Sequence, residues 1–292
     1  MPEQPLPGVD YVAGDLGDPD YADALIAGVQ TVFHVAAATS GSTADFQRGT
    51  VVAAENVVNA CERHGVRRMV YVSSLSVLEH AVRQRGAVTE DSRLEPRAGL
   101  RGDYTQSKLG AEKFVLAAAS KRGLPAFILR PGAIFGPGAK AFNPPGSFAL
   151  FGRCVVVRNG SLPLPLVYVD DVVDALLLGA SRPGLEGVLV NLTDPAAITQ
   201  REFCRMAANA GMSRRTVYIP KLVMIAAAAV IEWIGKLLGR KVPLTRYRVR
   251  SIRSLANIDP TAARERLGWT PKVGLSEGLR RTFPPSPPAE DN

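Results

Sequence analysis

The sequence has little of what marks a secreted or membrane-spanning protein. Its three cysteines, Cys61, Cys154 and Cys204, are an odd number without framework spacing, which argues against a disulfide scaffold and favours a reducing compartment. The purely apolar run 222–231 has ten residues and is too short to span a bilayer. The first residues have neither a basic start nor an apolar stretch, so they do not form a secretory signal. We therefore expect a cytoplasmic protein.

Positive charge is concentrated in the C-terminal part of the chain. The net charge is +8, yet residues 201–281 contain 17 Lys and Arg against 5 Asp and Glu, while the remainder contains 18 against 22. A solvated basic surface is the simplest interpretation. Alternatively, the basic surface attracts an anionic substrate or an anionic lipid. The apolar helix predicted over 222–238 favours the lipid. The basic residues are not interleaved with stacking aromatics, so we expect no nucleic-acid partner.

Strands and helices alternate along the first 180 residues or so. Apolar runs predict strands over 9–13, 31–36, 69–73 and 126–130, and capped helical patterns predict helices over 19–27, 44–64 and 103–122. A further helix is predicted to begin at Asp170, followed by a strand over 188–191 and a helix over 199–210. Short connections between such elements are typical of a parallel sheet flanked by helices, so the fold class is α/β.

Tyr104 and Lys108 are the most informative pair in the sequence. They lie four positions apart in a predicted helix and share one face of it, where the Lys108 ammonium can stabilise the phenolate of Tyr104. Such a phenol can donate and accept a proton at neutral pH. Ser74, at the end of the preceding strand, can hold the reacting oxygen, with Ser73 and Ser76 as alternatives. Serines that merely end a strand are the structural alternative.

A glycine-rich turn for a dinucleotide pyrophosphate is absent ahead of this pair. No G-x-G-x-x-G or G-x-x-G-x-x-G segment occurs there, and Gly14-x-x-Gly17 lacks the third glycine. The stretch 132–138 contains Pro137 and precedes no clear helix. No metal site is expected, because Asp170 and Asp171 fit a helix start better than a metal-binding pair. His34 lies in a strand and is interpreted as structural.

Segments around the Tyr104 and Lys108 pair carry a family signature. They are Gly14-Asp15-Leu16, Val32-Phe33-His34-Val35-Ala36-Ala37-Ala38, Tyr71-Val72-Ser73-Ser74 and Leu129-Arg130-Pro131-Gly132-Ala133-Ile134-Phe135-Gly136-Pro137. With 167–171 and 267–271, they resemble the extended short-chain dehydrogenase/reductase family, also called the NAD-dependent epimerase/dehydratase family. The resemblance covers nearly the whole chain.

This resemblance implies a Rossmann-type doubly wound parallel sheet with a smaller C-terminal substrate domain. Residues 1–180 would form the dinucleotide-binding domain and 181–283 a mainly helical substrate domain with interleaved segments. The tail 284–292 is expected to be disordered. Family members open with a strand, glycine turn, helix and second strand, whereas this chain begins after that unit. We therefore expect an N-terminally truncated sheet with a gap two strands wide, between residues 9–13 and 31–36.

The resemblance also implies a role for each matching residue. Tyr104 is the catalytic acid and base, Lys108 lowers its proton affinity and binds the nicotinamide ribose, and Ser74 holds the reacting oxygen. The cofactor-binding residues it implies are Asp15 and Leu16 at the adenine, Ala36, Ala37 and Ala38 where the backbone approaches the cofactor, Ser73, Tyr104 and Lys108, and Pro131, Gly132, Ala133 and Ile134 at the carboxamide. The cofactor is NAD or NADP, with NAD slightly favoured.

Two departures from the family pattern bear on the substrate and on proton transfer. Thr50 stands where many members have a supporting Asn, which puts a proton relay through that position in doubt. Ala133 stands where nucleotide-sugar members have an Asn that contacts substrate phosphate. The second departure favours the 3β-hydroxysteroid dehydrogenase-like branch, whose members act on sterol-like or other unphosphorylated alcohols and ketones.

The sequence therefore predicts an NAD(P)-dependent oxidoreductase that moves hydride between the cofactor and an alcohol or ketone. A nucleotide-sugar epimerase/dehydratase and a cofactor-deficient, non-catalytic relic are the alternatives. The expected partner is a small-molecule substrate, with peripheral membrane contact through 222–250 and a homodimer as further candidates.

Overall fold

The computed structural model describes residues 5–80, 86–138, 144, 146–150, 152–211, 215–239, 242, 244–252, 255 and 257–283. The predicted tail 284–292 lies outside the described residues. The helices of the described part are α1 (Pro19–Ile26), α2 (Thr43–Phe46), α3 (Ala53–Arg63), α4 (Ala98–Arg101), α5 (Asp103–Arg122), α6 (Val169–Ser181), α7 (Gln200–Asn209), α8 (Lys221–Leu237), α9 (Arg246–Arg250), α10 (Thr261–Glu265) and α11 (Gly274–Thr282). A π-helical segment (Gln47–Val52) joins α2 to α3, and Leu75–Val77 forms a 3₁₀ turn.

The strands of the described part are β1 (Thr31–His34), β2 (Arg68–Val72), β3 (Ala126–Pro131), β4 (Ala133–Phe135), β5 (Ser147–Leu150), β6 (Arg153–Val157), β7 (Pro163–Leu164), β8 (Leu166–Tyr168), β9 (Leu189–Leu192), β10 (Ile198–Thr199) and β11 (Thr216–Ile219). Four of them form the central parallel sheet, in the order β1-β2-β3-β9. The carboxyl ends of parallel strands meet at one edge, so the residues that follow β1, β2 and β3 are neighbours there. The predicted α/β class is confirmed.

Two helical layers cover the central sheet. On one face α1, α3 and α5 pack against Met69, Tyr71 and Ile128, and on the other α6 and α10 pack against Val70 and Leu129. The strand residues alternate between the two cores, as the period of a β-strand requires. The long helix α5 ends at Gly123, whose left-handed conformation with a φ of 75° favours glycine and closes the helix.

One strand predicted for the first part of the chain is absent, and another is present but shorter than predicted. Residues 9–13 form no strand, and Val9 and Val12 are exposed; a strand needs a partner for its backbone groups, and no described strand lies beside them. The strand predicted over 31–36 ends at His34, and Phe33 is exposed rather than buried. The predicted helix over 44–64 is present, but its first half contains the π-helical segment.

The C-terminal part of the chain returns to the central sheet twice. Strand β9 pairs with β3, and the segment from Trp269 to α11 packs against α6. Asp171 of α6 accepts backbone hydrogen bonds from Lys272, Val273 and Gly274 at 2.7, 3.0 and 2.9 Å, and its own carbonyl accepts one from Trp269 Nε1 at 2.8 Å. The split at residue 180 stays a prediction, and the segments beyond that position are interleaved with the sheet.

None of the helices in the described part of the chain has the length and apolar character needed to cross a bilayer. Cys61, Cys154 and Cys204 are buried and form no disulfide bond with one another.

Candidate active site

The Tyr104 phenol and the Ser74 hydroxyl meet at the carboxyl edge of the sheet. Helix α5 begins directly after Gly102, whose φ of 130° favours glycine, so Tyr104 lies in the first turn of the helix. Burial raises the pKa of Tyr104, and the hydrogen bond with Ser74 opposes that rise. Tyr104 as a whole is 36% exposed, so the residue lies partly at the protein surface.

Ser74 is the one of the three candidate serines whose hydroxyl meets Tyr104. It follows β2, and its Oγ also accepts a hydrogen bond from Ser76 N at 3.1 Å, which holds it in place. The Ser73 hydroxyl donates to Glu112 instead, at 2.5 Å. The Ser76 hydroxyl is buried. Ser74 is therefore the serine placed to hold a substrate oxygen, whereas the Ser73 hydroxyl and N–H are both engaged, the N–H with Leu129 O at 2.7 Å.

The Lys108 ammonium is buried one helical turn after Tyr104. Lys108 is 2% exposed, and its Nζ donates to Val72 O at 2.5 Å and lies 4.9 Å from the centre of the Tyr71 ring. Burial lowers the pKa of Lys108 to about 8, and the nearby Glu112 carboxylate opposes that shift. The sequence predicted a lowered pKa for Tyr104 through Lys108, whereas the pKa of Tyr104 is raised. Burial is the larger cause of this rise, and the hydrogen bond with Ser74 opposes it.

Two rings of the neighbouring strands complete the surroundings of Lys108. His34 of β1 stacks on Tyr71 of β2, with ring centroids 5.7 Å apart. Burial and the positive charge of Lys108 lower the pKa of His34 to about 4, so its imidazole is neutral at neutral pH. Burial raises the pKa of Tyr71 as well. His34 is thus a buried, uncharged residue, in line with its interpretation as structural.

A buried ion pair that the sequence analysis missed lies behind these residues. Glu112 of α5 pairs with Arg130 of β3 through two hydrogen bonds of 2.7 and 2.8 Å, and both side chains are buried. The available signal was the spacing of Tyr104, Lys108 and Glu112, which puts all three on one helical face. The sequence places Arg130 in a family motif but does not indicate its partner.

Two backbone segments flank Ser74 at the edge of the sheet. Residues 36–38 follow β1 and residues 131–134 end or follow β3, and both strands neighbour β2. The small side chains of Ala36, Ala37 and Ala38 leave the backbone accessible there. Thr50 supports this segment, because its buried hydroxyl accepts a hydrogen bond from Ala38 N at 3.0 Å.

The segment 131–134 is held closely by the rest of the protein. Gly132 must be glycine, because a Cβ there would lie 2.2 Å from Pro165 O. Its N–H donates to Leu192 O at 2.8 Å, and the N–H of Ala133 donates to Pro165 O at 2.8 Å. Pro131 has no N–H, and the Ile134 side chain is exposed at the sheet edge.

Asp15 and Leu16 lie in the loop before α1. The Asp15 carboxylate accepts from Gly17 N and from Arg48 Nε, each at 2.7 Å, and both contacts lower the pKa of Asp15. The Leu16 carbonyl accepts from Asn56 Nδ2 at 2.9 Å, and its side chain packs against the α1, α3 and α5 layer. Arg48 therefore already engages the carboxylate that the resemblance assigns to adenine.

The residues at the sheet edge fit the nicotinamide end of a dinucleotide. The Tyr104 phenol, the Lys108 ammonium and the small residues after β1 provide a proton donor, a cation and room for a close backbone approach. The N terminus of α1 does not fit a phosphate, because the Asp18 carboxylate already accepts hydrogen bonds from Asp20 N and Tyr21 N there. No group of three or more His, Cys, Asp or Glu suited to a metal occurs among the residues described.

Comparison with known proteins agrees with this geometry. Residues 2–192 match the model of the NAD dependent epimerase/dehydratase family. The chain is similar to 3beta-hydroxysteroid-dehydrogenase/decarboxylase isoform 1 of Arabidopsis thaliana, with 32% identity over 94% of this chain and 66% of that protein. It is also similar to 2-alkyl-3-oxoalkanoate reductase of Stenotrophomonas maltophilia, with 30% identity over 96% of this chain and 87% of that protein.

A solved structure with a related fold is MoeE5 in complex with UDP-glucose and NAD. The TM-score is 0.69 at 26% sequence identity, and the match covers 96% of this chain and 87% of that one. The chain spans between about half and two thirds of the length of the two Arabidopsis isoforms, 51% and 66%.

Proposed function

This chain belongs to the NAD dependent epimerase/dehydratase family, and we propose that it moves hydride between a nicotinamide cofactor and an apolar alcohol or ketone. The observation that carries the proposal is the pairing of Tyr104 with Ser74 next to the buried Lys108. Ser74 would hold the substrate oxygen, and Tyr104 would give it a proton or take one from it. The nicotinamide, when bound, supplies or accepts the hydride.

The proposed substrate is an unphosphorylated molecule with a hydroxyl or keto group on an apolar skeleton. The names of two relatives support this class, since one specifies a 3beta-hydroxysteroid and the other a 2-alkyl-3-oxoalkanoate. Each name places the reacting oxygen on carbon 3 of a largely hydrocarbon substrate. We therefore assign the chain to the 3β-hydroxysteroid dehydrogenase-like branch.

A nucleotide sugar is the second candidate substrate. The similarity to MoeE5, whose structure contains UDP-glucose, supports it. Ala133 argues against it, because a methyl group replaces the amide with which sugar-nucleotide members contact phosphate. The two candidates differ in charge and size, so one panel of substrates distinguishes them.

The test uses the full chain with NAD⁺ and NADP⁺ in the presence of a 3β-hydroxysteroid or UDP-glucose, and with NADH and NADPH in the presence of a 2-alkyl-3-oxo acid. Binding of each cofactor is measured first by calorimetry. Turnover of the steroid and the oxo acid is then followed by nicotinamide absorbance, and conversion of UDP-glucose by chromatography of the sugar nucleotide, because an epimerase or dehydratase returns the hydride within each cycle. We expect cofactor binding, with NAD preferred, and turnover of the steroid or the oxo acid. Absence of binding at about 1 mM cofactor, equivalent to less than ~4 kcal/mol of binding free energy, would favour the non-catalytic alternative.

A second proposal concerns the outer surface of α8. Its inward side buries Met224, Ala228 and Gly235. Its outward side exposes a continuous set of apolar side chains, among which Leu222, Leu237 and Trp233 are 80%, 73% and 66% exposed. The other members of this set are Val223, Val230, Ile234 and Leu238. We call these seven residues the α8 apolar face.

The partner that fits the α8 apolar face is an anionic lipid surface, contacted peripherally through residues 222–250. An amphipathic helix with an exposed Trp and flanking basic residues is suited to lie in the plane of a membrane interface. Lys236 of α8 and Arg250 of α9 are exposed, α9 packs against α8 through Val249, and Arg246 Nε donates to Glu232 of α8 at 2.6 Å. The protein would then work in the cytoplasm at a membrane surface, within reach of an apolar substrate.

Sedimentation with vesicles tests this contact. Vesicles that contain phosphatidylserine should retain the protein, and neutral phosphatidylcholine vesicles should retain less of it. The alternative occupant is a second copy of the chain. Dimerisation in solution without sedimentation would favour that homodimer and contradict the lipid proposal.

A further inference from the structure

The Glu112 carboxylate joins three parts of the fold that carry the candidate active site. It is fully buried on α5, one turn after Lys108. It accepts a hydrogen bond from Ser73 Oγ at 2.5 Å and two from Arg130, from Nε at 2.8 Å and from Nη2 at 2.7 Å. Ser73 directly precedes Ser74 at the end of β2, and Arg130 lies in β3 just before the segment 131–134. One carboxylate therefore ties the helix of Tyr104 to the ends of both strands.

Arg130 extends this connection across the sheet. Its Nη1 donates to Glu90 O at 3.0 Å, and Glu90 Oε1 accepts a hydrogen bond from Asn191 N in β9 at 2.7 Å. The chain of contacts therefore runs from α5 through β3 to the segment around residue 90 and to β9. Each donor named on this path meets an acceptor, which restrains the groups that the path joins.

A buried ion pair is a poor means of adding stability. The cost of removing both charges from water offsets much of their attraction, and well-packed apolar residues often serve as well or better. An ion pair does, however, fix geometry, because a carboxylate that accepts three directed hydrogen bonds has little freedom to move. The presence of Glu112 between two segments of the active site is therefore better explained by geometry than by stability.

We propose that Glu112 is a positioning residue for the reaction at Tyr104: through Ser73 it fixes the Ser74 hydroxyl, and through Arg130 it fixes the segment 131–134. The inference rests on the proposed oxidoreductase function. Glu112 does not touch the reacting atoms and acts through the residues that it holds.

Glu112 also sets the charge environment of Lys108. The groups that face Lys108 are His34 from β1, Tyr71 from β2 and Glu112 from its own helix, with Arg130 of β3 beyond the carboxylate. The pKa of His34 is lowered to about 4 and that of Tyr71 is raised, so both are neutral around neutral pH. Glu112 is then the only one of these groups with a negative charge. Its carboxylate raises the pKa of Lys108 against the larger lowering by burial.

The experiment compares Glu112→Gln and Ser73→Ala in the full chain. Glu112→Gln keeps the shape and removes the charge, whereas Ser73→Ala removes one hydrogen bond and leaves the ion pair with Arg130. The matched control is Glu62→Gln, which breaks an exposed ion pair of 2.7 Å between α3 and Arg122 at the end of α5. The first readout is the titration of Lys108, followed by NMR of ¹³C-labelled lysine and assigned with Lys108→Met.

We expect the Lys108 midpoint, about 8 in the unaltered protein, to fall in Glu112→Gln and to stay unchanged in Ser73→Ala and Glu62→Gln. The second readout is kcat and KM. Both Glu112→Gln and Ser73→Ala should lower kcat about tenfold or more with KM within about twofold, because they disturb the transition state more than the bound substrate. Glu62→Gln should change neither.

An unchanged Lys108 midpoint in Glu112→Gln, or an unchanged kcat in Ser73→Ala, overturns the proposal. The NMR readout needs no turnover, so a wild-type protein that turns over none of the substrates contradicts the proposed function and still leaves the role of Glu112 to be decided by titration. If Glu112→Gln does not fold, the kcat of Ser73→Ala is the test: a fall supports the proposal, and an unchanged value contradicts it.

Discussion

The Thr50 hydroxyl accepts a hydrogen bond from the backbone N–H of Ala38 at 3.0 Å. This contact links the π-helical segment between α2 and α3 to the residues that follow β1. The position is the one where many relatives were expected to carry Asn. In this chain its side chain supports the backbone at the sheet edge.

The first prediction concerns this support. Thr50→Val keeps the shape and removes the acceptor, so the free energy of unfolding should fall by about 2 kcal/mol, the cost of leaving a partly buried N–H without a partner. Affinity for the nicotinamide cofactor should fall as well. Thr50→Ser keeps the hydroxyl and should retain most of both quantities. Urea unfolding and calorimetry measure them, and equal values for the Val and Ser variants would contradict the role of the hydroxyl.

The second prediction concerns the proton donor. Tyr104→Phe keeps the ring and removes the hydroxyl, so kcat should fall by about 10²- to 10⁴-fold, the usual contribution of a positioned acid or base. Cofactor affinity should change much less. Tyr218→Phe is the control, because Tyr218 lies in β11 and contacts Arg201 instead of the site. Steady-state kinetics of the two variants make the comparison, and a Tyr104→Phe variant with wild-type kcat would refute the proposed chemistry.

The third prediction concerns pH and Lys108. Its pKa is about 8 in the folded protein and 10.5 in the ordinary case, so between these values the unfolded chain binds the proton that the folded chain has lost. Stability due to this group therefore rises with pH across the window, by up to about 3 kcal/mol. Below pH 8 Lys108 is protonated in the folded protein as well, so burial of its charge lowers the free energy of unfolding by the full amount. Lys108→Met lacks this dependence.

Urea unfolding of the wild type and Lys108→Met at a series of pH values checks this prediction. The difference in unfolding free energy, Lys108→Met minus wild type, should be largest below the folded pKa and decline toward the unfolded one. A difference that is independent of pH would show that burial does not shift the lysine.

The fourth prediction concerns Asp171. Its carboxylate accepts three backbone hydrogen bonds and is buried, so Asp171→Asn should lower the free energy of unfolding by about 3 kcal/mol. Asp170→Asn is the matched control, because its neighbouring carboxylate is exposed and lies 3.7 Å from Arg281. That change should cost less than about 0.5 kcal/mol. Equal losses in chemical denaturation would mean that the three hydrogen bonds add nothing.

The fifth prediction concerns the α8 apolar face. The double variant Trp233→Glu and Leu237→Glu places charge in its centre and should lower retention on phosphatidylserine vesicles by about tenfold or more, while the fold is unchanged because both side chains are exposed. Leu177→Glu changes an exposed apolar residue on α6 and should have no effect on sedimentation. If the double variant is retained on the vesicles as well as the wild type is, α8 is excluded as the lipid contact.

Much of the fold was predictable because its signals are local. Helix α5 begins at Asp103 and ends at Arg122 as predicted, since Gly123 provides a left-handed end and the pattern before it is uninterrupted. Helix α7 begins after Thr199, whose capping box with Glu202 is visible in the sequence. The order of the motifs along the chain indicated the family and, with it, the parallel sheet. The match to the family model confirms the family.

What the sequence did not reveal depends on contacts between distant segments. The run 9–13 has the composition of a strand, yet only a partner can make it one, and composition carries no information about partners. The partner of Glu112 is 18 residues away in sequence and that of Asp171 about a hundred. The direction of the Tyr104 pKa depends on how deeply the phenol is buried, which spacing alone does not determine.

The hydrogen bonds between Asp171 and residues 272–274 also bear on how the chain reaches its native state. On a ribosome, α6 emerges about a hundred residues before residues 272–274, so Asp171 lacks these three hydrogen-bond donors until that segment has been made. Contacts of such long range slow folding, because a large loop must close before they form. The nascent chain therefore completes the contacts of Asp171 only after residues 272–274 have left the exit tunnel.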